Sequence, residues 1–131
     1  MAIIAHLALY CTDLEGMRAF YMKYFGASSN ERYTNDKKGF HSYFLSFGES
    51  PMRLELMTRL DVNEGGGTQH IEQLGLTHFA IQLASDSAVD DLTTLLREDG
   101  YTIAGEPRRT GDGYYESIVL DPEGNRLELV G

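Results

Sequence analysis

The sequence predicts an α+β protein built from two tandem β-α-β-β-β modules that form a curved mixed sheet around a cleft. Three observations carry this expectation. The tetrapeptide Arg-Leu-Glu-Leu occurs twice, at Arg53–Leu56 and Arg126–Leu129. A histidine stands near the start of each half, at His6 and His78, and the His6–His78 interval differs by only one residue from the Glu55–Glu128 interval. Strand-like and helix-like segments also follow one another in the same order in both halves. Repetition at half the chain length, in only two copies, describes a fused pair rather than a solenoid. The expected organisation is one domain over 1–131, with modules at 1–58 and 76–131 and a linker at 59–75.

Each element has a local reason. Residues 3–10 are short, apolar and rich in strand formers. Residues 13–25 carry Leu14, Met17, Tyr21 and Tyr24 at helical spacing, with Thr12 and Glu15 placed as a capping box and Gly26 as the stop. Strands are expected at 27–34, 40–47 and 52–58, with a turn over Gly48–Pro51. In the second half, 77–84 reads as a strand. The stretch 86–99 reads as a helix with Val89, Leu92, Leu95 and Leu96 on one side and Gly100 as its stop. Strands follow at 101–108, 114–120 and 125–130, the last two joined by the turn Asp121-Pro122-Glu123-Gly124.

Composition excludes several classes of function. The 131 residues, 42% hydrophobic, suffice for a core, and the net charge of −9 opposes binding to nucleic acid or an anionic membrane. No apolar run reaches transmembrane length and no basic, apolar leader opens the chain. The single cysteine, Cys11, forms no intrachain disulfide, so a cytoplasmic location is expected. Gly65-Gly66-Gly67 lacks the lysine and the context of a phosphate loop. His41 and His70 have no counterparts in the repeat and read as loop or surface residues.

Strand alternation gives the repeat chemical content. In both Arg-Leu-Glu-Leu strands the leucines point one way and the glutamate the other. With the leucines against the helix, Glu55 and Glu128 face the opposite side, together with His6 and His78. Burying such carboxylates without a cation is costly. Two neutral imidazoles and two carboxylates instead suit Zn²⁺, Ni²⁺, Co²⁺, Mn²⁺ or Fe²⁺, and suit Ca²⁺ poorly. One histidine or one glutamate alone reads more simply as a polar strand residue. It is the register between two copies that favours a metal site of His6, Glu55, His78 and Glu128.

The pattern resembles the vicinal oxygen chelate superfamily, which includes glyoxalase I, epimerases, fosfomycin-resistance transferases, bleomycin-binding proteins and extradiol dioxygenases. The resemblance spans the whole chain. It rests on His6 with Thr12-Asp13-Leu14, on Phe20-Tyr21 through Phe25-Gly26, and on Arg53-Leu54-Glu55-Leu56. Gly75-Leu76-Thr77-His78-Phe79-Ala80 and Asp121-Pro122-Glu123-Gly124-Asn125 leading to Glu128 complete it. The His/Glu/His/Glu set is similar to that of bacterial glyoxalase I. The resemblance therefore implies a lyase or isomerase acting on a small carbonyl substrate by metal-assisted proton transfer. It further implies one divalent metal per site, Ni or Zn first and Co, Mn or Fe as alternatives, and a homodimer. Glu128 is the first choice for the base and Glu55 its symmetric alternative. A three-ligand dioxygenase or thiol transferase using His6, His78 and Glu128, and a metal-free ligand-binding or resistance protein, are the competing readings. Where glyoxalase I enzymes hold glutathione with Arg and Asn, this chain has Tyr10 and Arg59, so the expected grip on substrate differs.

Overall fold

The computed structural model describes residues 1–62 and 74–131. The chain divides into two compact units, Met1–Gly65 and Gly66–Gly131, and each contains its own mixed sheet. The α+β class and the tandem β-α-β-β-β order are both present. Most of the expected linker, together with His70 and Gly65-Gly66-Gly67, lies outside the described residues.

The first unit comprises β1 (His6–Tyr10), α1 (Leu14–Phe25), β2 (Ser28–Ser29), β3 (Tyr33–Asn35), β4 (Phe40–Ser46) and β5 (Arg53–Thr58), with one 3-10 turn at Asp36–Lys38. The sheet runs β1-β5-β4-β2, with β3 also paired to β4. β1 and β5 are parallel, while β4 is antiparallel to β5. Leu14, Met17, Phe20 and Tyr21 of α1 are buried, as are Leu45, Leu54 and Leu56 of the sheet. This is the expected leucine-to-helix packing.

Three local details differ from the sequence expectation. The first concerns the cap of α1. Asp13 supplies it, its side chain accepting from the Gly16 N–H at 2.9 Å. The Glu15 carboxylate accepts from the Tyr43 hydroxyl at 2.8 Å and pairs with Arg32 at 3.2 Å. A carboxylate at this position satisfies an orphan N–H and meets the positive end of the helix dipole. The second is the strand expected at 27–34, which is broken into β2 and β3. Between them the Asn30 N–H donates to the Phe44 carbonyl, and the Asn30 side chain accepts from the Phe44 N–H at 2.8 Å. A side-chain amide thus takes a place that a regular ladder would give to backbone. The third is at the N-terminus, where β1 begins at His6 and leaves Ile3 and Ile4 exposed.

The second unit comprises β6 (His78–Gln82), α2 (Asp86–Glu98), β7 (Ile103–Arg109), β8 (Tyr115–Leu120) and β9 (Arg126–Val130), in the order β6-β9-β8-β7. β6 and β9 are parallel. The Ser85 hydroxyl caps α2 by accepting from the Ala88 N–H. The buried stripe of α2 is Val89, Thr93 and Leu96, whereas Leu95 is exposed. Thr93 replaces an expected leucine because its hydroxyl is satisfied, at 2.6 Å from the Val89 carbonyl and 2.8 Å from Ser117 Oγ. The β8–β9 turn forms as expected. The Asp121 carboxylate accepts from the N–H groups of Glu123 and Asn125, and Gly124 takes φ +88°.

Candidate metal centre

Parallel pairing explains how each histidine meets its glutamate. In the first unit His6 is opposite Arg53 and Ala8 is opposite Glu55. In the second, His78 is opposite Arg126 and Ala80 is opposite Glu128. Each glutamate therefore lies one pleat repeat along from its histidine's partner, on the same face. The small alanines across from the glutamates leave room for the imidazoles to lean over. His6 Nε2 lies 3.6 Å from Glu55 Oε1, and His78 Nε2 lies 3.2 Å from Glu128 Oε2.

The two pairs have the same exposure pattern. Each imidazole is 42% exposed, while the glutamates are only 16% and 19% exposed. The charged groups are thus the more sheltered members. Their backbone neighbours Leu54, Leu56, Leu127 and Leu129 are fully or almost fully buried on the other face. Around the first pair, the Phe44 ring meets the His6 ring edge-to-face at 5.4 Å, and the Arg53 guanidinium lies 4.4 Å from the Phe44 centroid. These contacts fix a wall beside His6.

The second pair has two neighbours that repeat-based reading misses. Glu116 on β8 lies on the Glu128 face, diagonal to it across the β8–β9 pair. Partial burial, and then the Glu128 carboxylate, hold the Glu116 proton above the usual carboxylate range. Arg108, 3.9 Å away, pulls in the other direction. The corresponding position in the first unit is Ser42, as the registers Ser42–Met57 and Glu116–Val130 show. The available signal was alternation along β8, which puts Glu116 and Ile118 on one face. Thr77 is the other neighbour, with its Oγ1 3.0 Å from His78 Nδ1.

At the far end of β1, Arg59 donates to both oxygens of Asp61 at 2.8 and 2.9 Å and is hydrogen-bonded to Tyr10. Asp61, and then Tyr10, hold the Arg59 proton still more tightly. His41 lies in β4 with Nδ1 3.0 Å from Thr34 Oγ1. Among the described residues, no group of three or more His, Cys, Asp or Glu side chains is assembled for an ion. Each unit holds one His–Glu pair.

The donor chemistry of each pair fits a transition metal. Two ligands bound to one ion at about 2.0–2.2 Å lie about 3.0–3.4 Å apart for octahedral or tetrahedral angles. The separations of 3.2 and 3.6 Å are close to that bite.

A fold of paired β-α-β-β-β units, with a His–Glu pair on the parallel strands of each, defines a recognisable class. Residues 3–129 match the sequence profile of the Glyoxalase/Bleomycin resistance protein/Dioxygenase superfamily, and the chain belongs to that family. It is 27% identical to the uncharacterised protein YqjT of Bacillus subtilis (strain 168), over 135 aligned residues covering 95% of each chain. A glyoxalase family protein from Enterococcus faecalis superposes with a TM-score of 0.77 at 22% identity, covering 98% of this chain and 97% of that one. The trypanothione-dependent glyoxalase I of Leishmania major gives 0.76 at 21% identity, covering 100% and 87%. Glyoxalase I from Zea mays also gives 0.76, at 23% identity, with 97% of this chain matching 43% of that longer one. At such identities the structural likeness is one of fold.

Proposed function

We propose that the protein is a divalent-metal-dependent lyase or isomerase of the glyoxalase I type, acting on a small carbonyl-containing substrate. The observation carrying this reading is the duplicated His–Glu pair, each with donors near the bite distance of a single ion. His6, Glu55, His78 and Glu128 would hold the metal, Ni or Zn in the first instance, in a homodimer. When bound, the ion supplies Lewis acidity to a substrate carbonyl.

The side chains supply the remaining chemistry. Glu128 accepts the proton from the carbon next to the carbonyl and returns it to the adjacent carbon. Its place between the buried Leu127 and Leu129 holds the carboxylate on one face of the strand, in a fixed orientation for this role. Glu55 holds the equivalent position on β5 and would contribute its charge to a bound ion. Phe44 and Arg53 form a flat wall next to His6 against which a planar substrate can rest. Arg59 already holds the Asp61 carboxylate, so the far end of this strand pair offers a different grip from the Arg and Asn of glutathione-using relatives.

The test is metal content after native purification, followed by titration of stripped protein with Ni²⁺ or Zn²⁺. The expected result is tight uptake that restores isomerisation or lyase turnover on α-oxo substrates. Protein that arrives nearly metal-free and takes up neither ion on titration would rule out the metalloenzyme reading. It would leave ligand sequestration as the function to pursue.

A further inference from the structure

The geometry points to Thr77 as a positioning residue for His78, its hydroxyl holding the imidazole so that Nε2 stays aimed at the ion-binding side in either protonation tautomer. This inference rests on the metal-binding reading above. Thr77 immediately precedes β6, and its Oγ1 lies 3.0 Å from His78 Nδ1. The other ring nitrogen, Nε2, lies 3.2 Å from Glu128 Oε2. The ring is therefore held from both ends, by a hydroxyl and by a carboxylate.

The two partners differ in what they can do. An ionised carboxylate only accepts hydrogen bonds, whereas a hydroxyl both donates and accepts. Without an ion, a neutral His78 can carry its proton on Nε2 and donate it to Glu128, with Thr77 donating to Nδ1. To ligate through Nε2, the ring must carry the proton on Nδ1, and that N–H then needs an acceptor. Rotation of the Thr77 hydroxyl provides one without moving either ring or backbone. A valine would fill the same volume and provide neither bond.

The repeat supplies an internal comparison. The residue before His6 is Ala5, which has no hydroxyl. The two histidines share a strand position, yet only His78 is preceded by such a partner. Thr77 is also exposed, so replacing it leaves the core intact.

The experiment titrates Zn²⁺ alone into metal-stripped protein, above the ordinary imidazole pKa of ~6.5. Wild type, Thr77→Val and Thr77→Ser are compared by calorimetry. Long-range ¹H–¹⁵N spectra of the metal-free proteins report the ring nitrogens. Outer-shell partners of ligating histidines are worth roughly 10–100-fold in metal affinity, and solvent access at His78 places the expected loss for Thr77→Val near tenfold. Thr77→Ser should restore affinity. The His78 Nδ1 signal should shift in Thr77→Val while the His6 signals stay in place. Unchanged affinity and unchanged His78 signals in Thr77→Val would overturn the role. So would a serine variant as weak as the valine one, since that would make the methyl group the important part. A wild type that binds no zinc would remove the metal reading itself, and this role with it.

Discussion

Glu55 and Glu128 lie between leucines that point into the two cores, so neither can turn inward without reversing its strand. Rigid presentation of a carboxylate is useful for proton transfer. Glu128→Gln should therefore keep the melting curve of the wild type while lowering turnover by about 10²–10⁴-fold, the usual contribution of a general base. Turnover that survives would move the base role to Glu55. Glu116 makes a separate prediction in metal-free protein. Its proton is held more tightly in the folded chain, first by partial burial and then by Glu128. The folded form thus binds more protons than the unfolded one above the ordinary carboxylate pKa, and stability falls as pH rises through the shifted value. Glu116→Gln should raise the melting temperature at neutral pH relative to wild type, with the difference shrinking as pH drops through the carboxylate range. Thermal melts across pH check this. The His–Glu pairs were legible in the sequence because they repeat. Glu116 and Thr77 were not, because their counterparts are Ser42 and Ala5, and a search for similarity passes over the places where two copies differ.

The elements themselves were largely readable from periodicity and punctuation. Both helices start and stop within a residue or two of expectation, since Gly26 and Gly100 take positive φ where the chain must leave the helix. What escaped was competition among polar side chains. Thr12, Asp13 and Glu15 are all plausible helix starters, and only the tertiary partners of Glu15, Tyr43 and Arg32, decide which one caps α1. Asp13→Ala should therefore destabilise the protein by about 1 kcal/mol, as measured in urea. Asn30 escaped for a similar reason, because a side chain that imitates backbone leaves no mark in the hydropathy pattern. The leucines obey a simpler rule. Leu129 is fully buried in the second unit, and Leu129→Ala should cost about 2–5 kcal/mol in the same assay.

Two units with matching sheets carry matching pairs, and together they account for why the chain duplicates its signature tetrapeptide. None of the helices described is long and apolar enough to cross a membrane. The family assignment settles the class of fold, and the choice of reaction remains with the site. Among the described residues, β1 and β6 each stand at the end of their sheet's strand order, hydrogen-bonded to one neighbour, β5 or β9. A border strand of this kind is the part of a sheet that opens most readily. Each histidine sits on the border strand and its glutamate on the strand inside it. An ion gripping both would stitch that border shut, so the amides of β1 and β6 should exchange hydrogen markedly more slowly once metal is added. That slowing could be followed without any substrate in hand.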